Sequence, residues 1–235
     1  MKFTFLFLIC SAGLQAHDII TTPITWSREI SRIVYAKCAS CHREGGTSFS
    51  LTTYKDARPW AVALREEVLR RSMPPWGAVK GFGEFRNDQA LTPEQMELIV
   101  NWTEGGVPEG EAKDLPELPK WEAPLVIGRV KGEIAAKGTV TLSQKFTLDA
   151  ILPQTVPLKA SFQIVAELPD GSIEPLLWLQ NYEMEFGHPF LLRKPLLLPA
   201  KTVIRGIPAG ASLRLLPPTA VTAPKKVEDA APHAH

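Results

Sequence analysis

The sequence lacks the features that define several classes of protein. Its 235 residues contain only three cysteines, too few for a scaffold held by disulfides. Basic and acidic residues nearly cancel, 26 against 25, and no lysine or arginine run stands out, which argues against nucleic-acid binding by phosphate neutralisation. No internal repeat is visible. Beyond residues 1–16 no stretch approaches about 18 uninterrupted apolar residues, so we expect no transmembrane segment in the mature chain.

Residues 1–16 have the layout of a secretory signal peptide. Lys2 precedes an apolar run over 3–10, and small and polar residues follow as far as Ala16. We expect cleavage after Ala16, with a cut after Ala12 left open and a retained N-terminal anchor as the rival interpretation. Export predicts a periplasmic or other extracytoplasmic location.

The first half of the mature chain has a helical pattern. Apolar residues recur at helical spacing over 25–37 and over about 56–71, and a third helix begins at the capping-box sequence Thr92-Pro93-Glu94-Gln95. Residues 43–54 and 77–90 are rich in glycine or small polar residues and predict loops. We therefore expect an all-α domain over 17–107.

The second half has a different pattern. Residues 108–124 form a proline-rich linker, after which apolar and polar residues alternate over 160–168 as in a half-buried strand. Further short strands are predicted at 174–182, 190–198, 202–207 and 212–216. We expect an all-β, sandwich-like domain over 125–218 and a disordered tail over 219–235, and hence an α + β multidomain chain.

The chemistry is concentrated in Cys38-Ala39-Ser40-Cys41-His42, the C-x-x-C-H signature of covalent c-type haem attachment. Two thiols three residues apart can each add to one vinyl group of a haem, and the next residue supplies an imidazole to the iron. We therefore predict one covalent haem c, held by Cys38 and Cys41 and ligated by His42. A thioredoxin-like pair would need a strand before the motif, a zinc site would need a second ligand pair, and a disulfide across two residues would be strained.

Met73 is the candidate for the second axial position. It follows the second predicted helix and precedes Pro74-Pro75, which stiffen the backbone and remove two donors. A thioether there would favour ferrous iron and leave no coordination position for a substrate, which argues for electron transfer rather than catalysis. The competing interpretation is a distal position that is open or filled by His, Lys or water.

Two further residues are candidates for contacts with the haem. Trp60 could line the pocket, and Arg58 could pair with a propionate. Each also fits an ordinary structural role, as a core aromatic and a solvated charge.

Residues 26–121 resemble a group of exported bacterial cytochrome c domains. The resemblance rests on Cys38-Ala39-Ser40-Cys41-His42, Ser50-Leu51-Thr52-Thr53-Tyr54, Ala57-Arg58-Pro59-Trp60, Arg71-Ser72-Met73-Pro74-Pro75-Trp76, Phe85-Arg86-Asn87-Asp88 and Gly105-Gly106-Val107-Pro108-Glu109-Gly110. It implies that the all-α domain is cytochrome c-like, with His42 and Met73 as axial ligands.

The C-terminal half resembles the end of a type II copper, ascorbate-dependent monooxygenase. The matching stretches are Leu168-Pro169-Asp170-Gly171-Ser172, Leu176-Leu177-Trp178-Leu179-Gln180-Asn181-Tyr182 and Pro195-Leu196-Leu197-Leu198-Pro199-Ala200-Lys201-Thr202. Copper oxygenases need clusters of His and Met, whereas this region offers only His188 and Met184. We therefore expect a degenerate domain without copper that serves binding or docking.

Together these observations predict a periplasmic mono-haem electron carrier that exchanges electrons with redox partner proteins of the cell envelope and is not itself a catalyst. The alternatives are a redox subunit or domain of an oxidoreductase, such as a haem peroxidase or a copper-oxygenase-like enzyme, and a haem-based binding or sensor module.

Overall fold

The computed structural model describes residues 23–121 and 127–218. The predicted signal peptide, residues 122–124 of the predicted linker and the predicted disordered tail lie outside the described residues. Within the described ranges, no helix has both the length and the apolar character needed to cross a lipid bilayer.

The helices of the first half are short. In order they are a π-helical turn (Trp26–Ile30) that continues into α1 (Ser31–Lys37), α2 (Tyr54–Ala57), a 3-10 turn (Arg58–Trp60), α3 (Ala61–Leu69), α4 (Pro93–Glu104) and a 3-10 turn (Ala112–Asp114). The helix expected over 25–37 is confirmed. The helix expected over 56–71 is instead broken, because Pro59 lies in the 3-10 turn that separates α2 from α3.

The start of α4 follows its predicted local chemistry. The Thr92 side chain accepts a hydrogen bond from the Gln95 amide, and the Gln95 side chain accepts one from the Thr92 amide, which completes the capping box. The helix then buries Ile99 and Trp102. Trp102 packs on Trp26 with ring centroids 6.0 Å apart, so α4 joins the first helices in one apolar core.

The second half forms two antiparallel sheets. The strands are β1 (Ile134–Ala136), β2 (Val140–Thr141), β3 (Phe146–Thr155), β4 (Ala160–Glu167), β5 (Ile173–Tyr182), β6 (Phe190–Leu198), β7 (Val203–Arg205) and β8 (Ser212–Leu216). One sheet has the order β1-β8-β3-β6 and the other β2-β7-β4-β5. The strands predicted at β4 to β8 are confirmed. β1, β2 and β3 were not predicted, and β3 carries Pro153 within a largely buried run.

Residues 74–90, here called the crossing segment, leave the helices and run along both sheets. The Gln180 amide donates to the Gly77 carbonyl (2.8 Å) beside β5, and the Arg86 amide donates to the Leu191 carbonyl (2.9 Å) beside β6. The segment therefore covers β5 and β6, each of which is the last strand of its sheet. A covered edge no longer offers free backbone groups to another chain.

The crossing segment also fills the core between the sheets. Trp76, Ala78 and Phe85 are buried among the strand residues rather than among the helices. After the crossing segment, α4 packs against the helices that precede the segment and completes the helical core. The helical core is thus built from sequence on both sides of the crossing segment.

The expected fold class, an all-α cytochrome c-like domain followed by an all-β domain, is wrong. The first half consists of small helices joined by a segment that pairs with strands, and the structure lacks an all-α cytochrome domain. The physical reason is that residues 77–90, predicted as a plain loop, form four backbone hydrogen bonds with β5 and β6. The region that follows is β-rich, but its core includes side chains from the first half.

Candidate functional site

The C-x-x-C-H motif forms a tight turn at the end of α1. The Cys38 amide donates to the Val34 carbonyl (2.9 Å), and the His42 amide donates to the Cys38 carbonyl (2.9 Å). Cys38 is half-buried, Cys41 is exposed, and neither is in a disulfide. One turn of backbone therefore presents two free thiols and an imidazole.

The orientation of His42 is fixed by the loop that follows it. Its Nδ1 lies 3.1 Å from the Phe49 carbonyl oxygen. A carbonyl oxygen can only accept, so Nδ1 is the donor in this contact, and in the neutral ring the lone pair is then on Nε2. Histidines that bind metals characteristically donate their other ring nitrogen to a carbonyl or carboxylate in this way, which fixes both tautomer and ring orientation.

An exposed aromatic pair extends from His42. The His42 ring meets Phe49 edge-on at 4.8 Å, and Phe49 stacks on Trp60 at 4.4 Å. Phe49 and Trp60 are 47% and 46% exposed, an unusual exposure for large aromatic rings. A flat apolar group bound at His42 would find a ready contact surface on this pair.

The other side of the motif is braced by distant residues. The Arg43 guanidinium lies 5.5 Å from the Trp121 ring centroid, and the Trp121 indole donates to the Tyr35 carbonyl (3.4 Å). The Lys37 ammonium donates to the Asp88 carbonyl (2.7 Å), which ties the end of α1 to the crossing segment. The turn that carries the thiols is therefore held from both ends.

Burial, reinforced by the nearby Cys41, raises the pKa of the Cys38 thiol to about 12. Redox-active C-x-x-C pairs need a lowered thiol pKa. The raised pKa of Cys38 counts against that use of the motif. Addition of a thiol to a vinyl group consumes the S–H and is compatible with this environment.

The remaining predicted site residues fall in different places. Trp60 joins the motif through Phe49. Arg58 is exposed, and within the described residues its side chain has no ion pair or hydrogen bond. Met73 is half-buried on the stretch between α3 and the crossing segment, outside the contacts made by the motif.

Phe49 is the site residue that sequence analysis missed. It stands in a loop rich in glycine, serine and threonine, where a single aromatic residue carries no periodic signal. Its position depends on the backbone bonds after the motif, in which the Ser48 amide donates to the Cys41 carbonyl (3.2 Å) and the Leu51 amide to the His42 carbonyl (3.1 Å).

No known family model, no curated protein and no solved structure matches this chain. Within residues 23–121 and 127–218, no three side chains of His, Cys, Asp or Glu gather as a metal site. The residues at the motif nevertheless fit a covalent haem, because they comprise two unbridged thiols, an imidazole whose Nδ1 contacts a backbone carbonyl and an exposed aromatic surface beside it.

Proposed function

We propose that this chain is an exported mono-haem c-type electron carrier. The observation that carries the proposal is the His42 imidazole, held through Nδ1 by the Phe49 carbonyl in the turn that presents the Cys38 and Cys41 thiols. The signal-like N-terminus is in keeping with an extracytoplasmic location, with envelope redox proteins as partners.

Each residue of the motif has a distinct task in this proposal. Cys38 and Cys41 would hold the haem by thioether bonds, and Nε2 of His42 would bind its iron. The Phe49–Trp60 stack covers apolar surface and excludes water from the same side. Bound there, the haem supplies one-electron exchange between ferric and ferrous iron.

Met73 is the proposed second axial ligand. Met73 follows α3 and precedes two prolines, which restrict the backbone that carries its side chain. A thioether ligand raises the reduction potential and fills the last coordination position, which suits an electron carrier.

The experiment is to produce the full chain with cytochrome c maturation machinery and record optical spectra, oxidised and reduced, with and without carbon monoxide. We expect a protein with covalently bound haem, whose reduced spectrum does not change when carbon monoxide is added. Colourless protein with both motif thiols free would contradict the proposal. A reduced spectrum that responds fully to carbon monoxide would favour an enzyme with an open iron position over an electron carrier.

Met73→Ala tests the second ligand. We expect loss of the Met–iron charge-transfer band and a fall in reduction potential on the order of 100 mV, because the ferrous-favouring thioether is gone. Met96→Ala, on α4, is the matched control and should leave both unchanged. A wild-type band and potential in Met73→Ala would remove Met73 from the site.

A further inference from the structure

Met73 is attached to α3 on its N-terminal side. The Arg71 amide donates to the Val68 carbonyl (3.1 Å) and the Ser72 amide to the Glu67 carbonyl (3.1 Å), with Arg71 at φ 58°. These two bonds form a Schellman motif, which ends the helix at a defined point. The Met73 amide then donates to the Glu67 carbonyl at 3.4 Å, so the residue leaves the helix in a fixed direction.

On its C-terminal side, Met73 is attached to the β-sheet core. Trp76 is 4% exposed and meets Phe190 edge-on at 4.9 Å and Phe85 at 5.9 Å. Three residues of chain span at most about 10 Å. Because Pro74 and Pro75 have fixed φ angles, few backbone rotations are left between Trp76 and Met73 to absorb a displacement of Trp76.

His188 forms the flat surface on which Trp76 rests. The two rings stack at 4.7 Å with planes 16° apart. The imidazole Nδ1 lies 2.9 Å from the Phe186 carbonyl oxygen, which fixes the ring plane, while Nε2 is buried without a partner among the described residues. Burial lowers the pKa of His188, so the ring that faces Trp76 is neutral at pH 7.

We propose that the Trp76–His188 stack is the device by which the β-sheets hold Met73 at the haem iron. Trp76 and His188 are positioning residues in this account, and the β-rich half is part of the haem site rather than a separate docking domain. The proposal rests on the proposed haem function, and it adds that the strength of the Met73–iron bond is set by contacts inside the β-sheet core.

The test uses full-length, matured protein carrying His188→Ala or His188→Phe. In His188→Ala we expect the Met–iron charge-transfer band to weaken and added imidazole to bind the iron about tenfold more tightly, since outer contacts of metal ligands typically have effects of that size. His188→Phe keeps a flat ring beside Trp76 and should restore the wild-type band and imidazole affinity. If His188→Ala yields no folded protein, Trp76→Leu against Trp76→Phe gives the same comparison.

Trp178→Leu is the matched control. Trp178 packs on Phe82 of the crossing segment at 5.8 Å, and among the described residues it has no aromatic contact with Trp76 or His188. This variant should lose stability without any change in the band or in imidazole affinity.

The outcomes separate this proposal from the proposed function. Wild-type protein without covalent haem contradicts both. Haem-loaded protein whose band depends on Met73, but whose band and imidazole affinity are identical in wild type and His188→Ala, overturns the positioning role alone. Equal loss of the band in His188→Ala and Trp178→Leu also overturns it, because the effect would then follow general stability.

Discussion

At the scale of single residues, the two motif cysteines differ sharply although only two residues separate them. Cys38 is half-buried with a pKa of about 12, whereas Cys41 is exposed. In haem-free protein at pH 8 we expect iodoacetamide to label Cys41 at least tenfold faster than Cys38, because the thiolate is the reactive form.

Peptide mass spectrometry measures both rates in one sample. Denatured protein is the control, in which the two thiols should react alike. Equal labelling in the native state would contradict the burial of Cys38. Haem-loaded protein should label at neither position.

A second residue-scale prediction concerns Glu133 in the β-rich half. The hydrogen bond from Arg214, together with the Val130 amide, lowers its pKa from an ordinary 4.5 to about 2. A carboxyl with a lowered folded-state pKa stabilises the fold above its unfolded pKa, and this stabilisation is lost as the pH falls. We therefore expect Glu133 to add to the loss of stability between pH 4.5 and about 2.

Urea unfolding of wild type and Glu133→Gln across that pH range measures the effect. The variant should be less stable at pH 7 and should lose less stability on acidification. Glu167→Gln is the control, since Glu167 forms an exposed ion pair with Arg205 at 2.8 Å. Parallel pH curves for wild type and Glu133→Gln would refute the prediction.

At the scale of elements, the crossing segment is held by ion pairs of very different burial. Arg86 donates two hydrogen bonds of 2.9 Å to Asp149, whose side chain is 5% exposed. Removing one partner of such a pair leaves a buried charge, so Arg86→Leu should destabilise the protein by about 3 kcal/mol. The exposed Arg193–Glu84 pair joins the same segment to β6 at 3.7 Å, and Arg193→Leu should change stability by less than about 1 kcal/mol.

Chemical denaturation of both variants checks this prediction. An equal loss in the free energy of unfolding for Arg86→Leu and Arg193→Leu would show that burial does not determine the contribution of these ion pairs. A double variant, Arg86→Leu with Asp149→Leu, should recover part of the loss, because no charge then remains buried.

Elements governed by neighbouring residues could be predicted from the sequence. The capping box at Thr92 and the motif at the end of α1 depend on contacts within a few residues, and both are found as expected. The break at Pro59 was also visible in the sequence, but the helical periodicity on either side obscured it. The strand-like pairing of the crossing segment could not be predicted, because its partners lie about a hundred residues away and its sequence lacks a period of two.

The residues of the candidate site also differ in whether the local sequence predicts them. Cys38, Cys41 and His42 are recognised by spacing alone, whereas Phe49 depends on how the following loop folds back. Trp76 lies three residues after Met73 in the sequence, yet its contact with His188 requires the tertiary fold. This contact joins residues of the two halves of the chain, and no local sequence pattern predicts it.

At the scale of the whole molecule, the two halves should not fold independently. The crossing segment contributes Trp76, Ala78 and Phe85 to the β-sheet core and covers both β5 and β6. We expect a fragment of residues 127–218 to aggregate or unfold without cooperativity. A synthetic peptide of residues 74–90 should restore a cooperative thermal transition by pairing with the open edges.

The same peptide carrying Arg86→Leu is the control and should restore the transition poorly. Circular dichroism and analytical ultracentrifugation follow both mixtures. A fragment that melts cooperatively without any peptide would contradict the dependence of the sheets on the crossing segment.

The path of the crossing segment has a consequence for biogenesis. Trp76 stacks on His188, which lies 112 residues further along the sequence, so this partner is synthesised long after the motif cysteines. Chains emerge from the ribosome with the N-terminus first. Under the proposed function, haem attachment at Cys38 and Cys41 would need only the N-terminal turn that carries the motif. The positioning of Met73 would also need His188 and β6, which are synthesised later.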